Sequence, residues 1–346
     1  MKHSLSLLIF LLLSCNASNS SQNLLNDLKT QIESGDYPNI DAVIIEHKNK
    51  VIFEEYFNGF RNIDVHQIRS AHKSITSLFA GIAVDQGLFS IEDEVGKFLT
   101  EWTNDPRGKI KIKDMLQMRS GLACEEFFSK GPDCESAMYE SEDWLAYLLS
   151  VPSRHQPGTT WEYSSMEPDL VGTIIARASG MTLMDFADQY LFGPMGIENF
   201  EWEITPDGRG YSAGSSRMLP RDMLKIAQLV RNKGNWQGRQ LVSSNWIDES
   251  TDCYIPVEMS FLEYSGLEEQ KFNSALYGFF WYIERLEHET IDTEVLFASG
   301  NGGQYMMLIE DYDLALVFNG SNYGSRLGKM PFEMIVNYII PFVDSL

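Results

Sequence analysis

The sequence predicts an α+β fold, in which an antiparallel sheet built from both chain ends is flanked by helices and carries a mostly helical insert over about residues 100–235. Three observations predict it. Short segments rich in β-branched and aromatic residues cluster at both ends of the chain. Between them, apolar residues recur mostly at helical spacing. Finally, the stretch Ile68–Leu88 (IRSAHKSITSLFAGIAVDQGL) places Ile75, Leu78, Phe79, Ile82 and Ala83 on one helical face, while Ala80, Gly81 and Ala83 leave room for close packing all round. It reads as a central buried helix, and strands from both termini joining beside it make one sheet.

The chain has 346 residues, 44% of them hydrophobic, enough for a sizeable core and too many for global disorder. Its formal net charge of −22 excludes a basic nucleic-acid-binding face. The acidic residues are spread along the chain, which reads as a solvated surface. The six histidines form no His-x-His or His-x-x-x-His pair, and the four cysteines lack zinc spacing. No metal or other cofactor is expected.

Met1–Ser14 reads as a signal peptide, with Lys2 and His3 ahead of the apolar stretch Leu5–Leu13. Leu12-Leu13-Ser14-Cys15 resembles a bacterial lipobox, which implies cleavage before Cys15 and lipidation of its sulfur. Cleavage near Ala17 is the rival reading. Residues 15–22 then form a polar tether, and residues 23–346 the folded domain. The expected location is the cell envelope or periplasm, with a lipid anchor as the only membrane contact.

Asn23–Gly35 reads as a helix stopped by Gly35. Asp41–Glu46 and Lys50–Tyr56 read as a hairpin turning at His47-Lys48-Asn49. After the Ile68–Leu88 helix, helical segments are expected at Trp144–Leu149, Leu170–Ser179, Leu183–Tyr190 and Pro220–Arg231, the last with proline in its first turn. Tyr277–Glu284, Val295–Ala298, Gln304–Glu310 and Ala315–Phe318 read as strands, and Phe332–Val343 as a closing helix. Cys124 and Cys134 flank a loop-like segment containing Gly-Pro, so in an exported chain they are expected to pair. Cys253 is left free and buried.

The chemistry concentrates at three places. Ser70-Ala71-His72-Lys73 is the one Ser-x-x-Lys in the chain, at the start of the buried helix. Residues three apart on a helix are neighbours, so the Lys73 amine lies beside the Ser70 hydroxyl, where it can activate a nucleophile. The bland alternative is a capping serine with a solvated lysine. Trp161-Glu162-Tyr163-Ser164-Ser165 supplies a phenol whose pKa a nearby Lys73 would lower, although Tyr163 is one of 15 tyrosines and by itself reads as structural. Ser299-Gly300-Asn301-Gly302-Gly303-Gln304 lies between two strands, where a free N–H could share an oxyanion with the Ser70 N–H. A plain Asn-Gly hairpin turn is the alternative there. A rival nucleophile is Ser212 in Gly210-Tyr211-Ser212-Ala213-Gly214, a Gly-x-Ser-x-Gly pattern. It follows a turn rather than a strand, and the next helix waits until Pro220, so its glycines read as loop flexibility.

Taken in order, Ser-x-x-Lys, Tyr-Ser-x and a Gly-rich strand edge resemble the class C β-lactamase-like serine hydrolases. That group includes penicillin-binding carboxypeptidases, esterases and 6-aminohexanoate-dimer hydrolases. The resemblance runs from about Ala42 to Val343 through IKDMLQMRSGL, PGTTWEYSS, FADQYLFGPMGI, SAGSSRMLPRDM and SGNGGQ. It implies a β-lactamase/transpeptidase-like fold and an acyl-enzyme on Ser70. Lys73 would be the activating base or charge partner and Tyr163 the proton shuttle. The Ser70 and Asn301 N–H groups would form the oxyanion hole, and Ser165, Trp281, Ser299 and Gly300 would line the substrate site. Two departures matter. The family's Tyr-x-Asn is Tyr163-Ser164-Ser165, and its Lys-Thr-Gly is Ala298-Ser299-Gly300. The missing lysine removes a cation for a penicillin carboxylate, favouring a small-molecule or peptide-like ester or amide substrate. A D-alanyl carboxypeptidase or β-lactamase, and a catalytically silent envelope-binding protein, are the alternatives.

Overall fold

The structure is a computed structural model that describes residues 24–126, 133–257, 259–262 and 275–346. The expected signal peptide, the Cys15 lipidation site and the polar tether lie outside the described residues.

Eight strands form one antiparallel sheet: β1 (Ile40–His47), β2 (Lys50–Tyr56), β3 (Ile255–Pro256), β4 (Leu276–Tyr277), β5 (Tyr282–His288), β6 (Ile291–Gly300), β7 (Gln304–Ile309) and β8 (Leu314–Gly320). The spatial order is β2-β1-β8-β7-β6-β5-β4-β3, so the first hairpin of the chain is paired to its last strand. This is the sheet from both termini that the sequence predicts. Every residue of β1 and of β8 is buried, because helices cover both faces of the sheet centre. Hence IDAVIIEH and LALVFNG read as continuous runs rather than as alternations.

Four helices matter to the site: α1 (24–34), α2 (His72–Asp85), α3 (Met166–Ser179) and α4 (Pro220–Arg231). His72 through Ala83 of α2 are all buried, between α3 and the sheet. Helix α4 packs across β1, β7 and β8. On the opposite face, Phe332 of the C-terminal helical segment lies 5.3 Å from Phe297 and 5.5 Å from Tyr305, ring centroid to centroid. The fully buried Trp102, Phe79, Phe186 and Phe318 belong to the same continuous core.

One expected strand is corrected. Tyr277–Glu284 is not continuous: Tyr277 pairs with Tyr282, so Gly278-Phe279-Phe280-Trp281 is a hairpin turn. Phe280 takes a left-handed φ of 64°. Its carbonyl accepts the Ser74 hydroxyl of α2 at 2.5 Å, which bolts the turn to the central helix. Gly278 is needed because a Cβ there would lie 2.5 Å from the Ser250 carbonyl. The segment's aromatic composition mimics a strand, but its tertiary contacts make it a turn. Helix α3 begins four residues earlier than the sequence suggests, since Pro168 fits a first helical turn. The segment expected to be helical over Leu183–Tyr190 passes into a π turn at Asp188–Phe192.

Candidate active site

Ser70 sits in a single 3-10 turn, Arg69–Ala71, that leads into α2. The site is assembled around it by two strand-like contacts. A two-residue ladder pairs His66–Gln67 with Arg217–Met218, and the Ile68 N–H donates to the Ser216 carbonyl at 2.9 Å. This draws the 210–216 loop beside α2. From the other side, the end of β6 packs on the same segment. A Cβ on Gly300 would lie 2.3 Å from the Ile68 carbonyl and 3.1 Å from the Arg69 Cβ. Gly300 is therefore required for close backbone approach, which sets the Asn301 turn next to Ser70. The Asn301 side-chain oxygen accepts the Gly324 N–H at 2.8 Å and holds that turn in place.

Lys73 lies one helical step beyond Ser70, and its three ammonium hydrogens each have an acceptor. Nζ donates to Ser70 Oγ at 3.0 Å, to Ser165 Oγ at 3.1 Å and to the Ala213 carbonyl at 2.7 Å. It also lies 5.0 Å from the centroid of the Tyr163 ring. Burial alone would lower the Lys73 pKa, but Tyr163, Glu126 and Glu135 outweigh it and hold the pKa above its usual value. Burial raises the Tyr163 pKa, while Lys73 and a hydrogen bond with Ser70 pull it back. At neutral pH the resting pair is thus an ammonium beside a neutral phenol.

Ser165 connects this group to a residue that no sequence motif announced. Its N–H donates to Glu126 Oε1 at 2.6 Å and its hydroxyl to Glu126 Oε2 at 2.9 Å. The Glu126 N–H in turn donates to the Tyr163 carbonyl at 3.0 Å. Burial, then the neighbouring Glu135, pushes the Glu126 pKa up to about 8, against the opposing pull of Lys73. Just behind, Ser120 Oγ donates to Glu167 at 2.7 Å, and Ser164 donates to the other oxygen of the same carboxyl. Burial raises the Glu167 pKa to about 7, although the Ser120 hydrogen bond opposes it. Cys124 and Cys134 are joined by a disulfide, Cα to Cα 5.5 Å, and Cys253 is free and buried.

The remaining site expectations fall out differently. Ser299 pairs with Tyr305 across β6 and β7, and their hydroxyls interact. Trp281 is 1% exposed, inside the GFFW turn, so it offers no surface to a ligand. Ser212 is fully buried, donates to the Pro168 carbonyl at 3.0 Å, and stands in a loop rather than at a strand-to-helix elbow. The next residue is the one that matters, because the Ala213 carbonyl holds Lys73. Reading side-chain motifs could not have found that contact. Glu126 had no signal beyond its place in the segment between the two cysteines.

A serine, an amine and a phenol that converge in this way suit acyl transfer through a serine ester. A family model described as Beta-lactamase matches residues 34–326. The chain belongs to the beta-lactamase family. Curated relatives include a hydrolase and an esterase, and the fold is shared with a solved penicillin-binding protein from Bacillus halodurans at a TM-score of 0.68 and 14% identity. This beta-lactamase-family chain is 22% identical over 220 residues to the 6-aminohexanoate-dimer hydrolase of Paenarthrobacter ureafaciens, covering 60% of this chain and 56% of that protein. It is 28% identical over 160 residues to the lovastatin esterase of Penicillium rubens, covering 40% of each. The chain spans about half the length of the curated relatives it matches. A solved structure of a putative beta-lactamase from Bacteroides dorei superposes with a TM-score of 0.73 at 18% identity, covering 93% of this chain and 98% of that one.

Proposed function

We propose that this chain is a serine hydrolase that forms an acyl-enzyme on Ser70 and cleaves an ester or amide bond. One observation carries the reading: Lys73 Nζ lies 3.0 Å from Ser70 Oγ and is held there by two further acceptors. An amine fixed in that way is aimed at the serine rather than at solvent.

In this reading Ser70 Oγ attacks the substrate carbonyl and its proton passes to the Lys73–Tyr163 pair. Tyr163 delivers it to the departing alcohol or amine. Water then attacks the acyl-enzyme with the same pair as base. The Ser70 and Asn301 N–H groups receive the oxyanion, and preorganised donors of this kind are worth about 3–4 kcal/mol apiece in transition-state stabilisation. Ala298 stands where a penicillin-cleaving relative carries lysine, so a substrate without a penicillin-like carboxylate fits better. Ester and amide hydrolases among the relatives support the same class. The lipobox-like start of the chain supports an anchored location in the cell envelope, which incorporation of a labelled fatty acid that depends on Cys15 would test.

The deciding experiment is intact-mass analysis of the protein and of Ser70→Ala after exposure to a fluorophosphonate, a short-chain p-nitrophenyl ester and a penicillin. A fluorophosphonate adduct and ester turnover that vanish in Ser70→Ala, without a penicillin adduct, are expected. Labelling that survives Ser70→Ala would overturn the assignment. A stable penicillin adduct on Ser70 would move the substrate class to the carboxypeptidases.

A further inference from the structure

The resting charges pose a difficulty for the reading of Ser70 as nucleophile, on which this inference rests. Lys73 is an ammonium, so it carries one proton too many to accept that of Ser70. The geometry around Ser165 points to where that proton goes. A hydroxyl that accepts from an ammonium must turn its own hydrogen elsewhere. Ser165 Oγ accepts from Lys73 Nζ at 3.1 Å and donates to Glu126 Oε2 at 2.9 Å. With Glu126 ionised, the direction of the chain from Lys73 through Ser165 to Glu126 is therefore fixed by the partners.

The Glu126 carboxylate is held at both oxygens. Oε1 accepts the Ser165 N–H at 2.6 Å, so the carboxylate cannot swing away without breaking a main-chain bond. The Glu126 N–H grips the Tyr163 carbonyl, which ties the same residue to the phenol. The Cys124–Cys134 disulfide braces the segment, with Cys124 Sγ 3.8 Å from Oε1. Four ionisable groups act on Glu126 or are acted on by it: Lys73 from α2, Glu135 from the helix Cys134–Tyr139, Tyr163 from its own loop and Tyr211 from the 210–214 loop. Among these described residues, Lys73 alone is a cation.

We propose that Glu126 is a positioning residue and proton store for this site, taking the resting proton of Lys73 through the Ser165 hydroxyl. The step balances internally. Lys73 passes a proton to Ser165 Oγ as Ser165 passes its own to Glu126, giving a neutral amine and a neutral carboxyl. The amine then takes the Ser70 proton while Oγ bonds to the acyl carbon and the carbonyl π pair moves onto oxygen. Lys73 re-supplies Tyr163 as the phenol protonates the leaving group. The proton held on Glu126 then returns to Lys73. Burial suits the carboxyl to this task, because a carboxyl that ionises near pH 8 accepts a proton more readily than an exposed one.

The test measures the rate of Ser70 labelling by a fluorophosphonate, by intact mass, from about pH 5 to about pH 10, in the full chain and in Glu126→Gln, Glu126→Asp, Ser165→Ala and Ser70→Ala. The wild-type rate is expected to rise with the ionisation of Glu126 near pH 8 and then level. Glu126→Gln and Ser165→Ala are expected to label at least about tenfold more slowly just above about pH 8, where wild-type Glu126 is ionised, with the rise displaced toward the ionisation of Lys73 itself. Glu126→Asp keeps a carboxyl there and should keep a carboxyl-dependent rise that Glu126→Gln lacks. Circular dichroism at each pH separates loss of fold from loss of relay. If Glu126→Gln does not fold, Ser165→Ala and the wild-type profile still decide. A wild type without that rise, or folded variants with the wild-type profile, would overturn the relay. Failure of Ser70 to label in the wild type would instead overturn the nucleophile assignment.

Discussion

The Ala213 carbonyl lies 2.7 Å from Lys73 Nζ, nearer than the Ser70 hydroxyl at 3.0 Å. The Gly-x-Ser-x-Gly stretch thus acts as a clamp on the lysine, with Ser212 anchoring it from beneath. Lys73→Ala is expected to lower hydrolysis by about 10²–10⁴-fold, the range for losing a positioned proton-transfer group. Lys73→Arg should not rescue it, because a planar guanidinium cannot reach three acceptors set for an ammonium. Ser212→Ala should instead cost about 1–2 kcal/mol of stability through its lost buried hydrogen bonds, while Ser70 still labels. Paired measurements of Tm and fluorophosphonate labelling check both.

Gly300 offers a second test of how the site is assembled. An alanine there would place its Cβ 2.3 Å from the Ile68 carbonyl, two residues before Ser70. The end of β6 must then shift from the Ser70 turn, at a cost of about 1–3 kcal/mol for overpacking. Both N–H groups expected at the oxyanion lie on the two segments that would separate. Gly300→Ala should therefore slow Ser70 acylation more than a stability loss of that size explains in the fraction still folded. An unchanged rate per folded molecule would show that the approach of β6 does not set the site.

Much of this arrangement is legible in the sequence, and what is not has a physical reason. Ser70 and Lys73 come from one helical step, so local spacing suffices to pair them. The strands β1 and β8 are betrayed by runs such as AVIIE and ALVF, because burial on both faces demands them. The GFFW turn is not legible, since its conformation follows from the Ser74 hydrogen bond and from the packing at Gly278. The resemblance places Trp281 at the substrate site, but the residue is buried because the turn points it inward. Glu126 and Ala213 contribute through contacts far apart along the chain, one of them by a main-chain carbonyl that carries no side-chain signature.

The disulfide bears on both stability and the site. Cys124 and Cys134 close a short loop, for which constraint of the unfolded chain gives about 2–3 kcal/mol. Cys124→Ser with Cys134→Ser, or reduction, should lower Tm accordingly. Glu126 lies within the bridged segment, so the reduced protein should also label more slowly at Ser70. Thermal unfolding and labelling measured with and without reductant give both readings. An equal labelling rate in the reduced, folded protein would leave the bridge a purely stabilising role.

Glu167 makes the stability of the fold depend on pH in an unusual direction. Its carboxyl is fully buried under Ser120 and Ser164, and burial raises its pKa from 4.5 to about 7. The folded state therefore holds a proton that the unfolded chain releases between those values. Stability contributed by that proton is present below the unfolded pKa and is lost as pH rises through about 7. At 1.36 kcal/mol per unit the full loss is roughly 3 kcal/mol. Elsewhere, Arg177 holds the Glu101 pKa down to about 2, so that pair adds stability above the usual carboxylate value and the contribution is lost as pH falls through about 2. Glu167 should accordingly stabilise the fold more near pH 5 than near pH 8, in the same direction as Glu126 and against the buried His72 and Lys329, whose lowered pKa values act the other way. Glu167→Gln removes this contribution and leaves that of Glu126, so it should lose roughly 3 kcal/mol less than the wild type over the full titration of Glu167. Denaturant unfolding of both proteins at the two pH values measures the difference, and parallel losses in the two would show that Glu167 is not the group responsible.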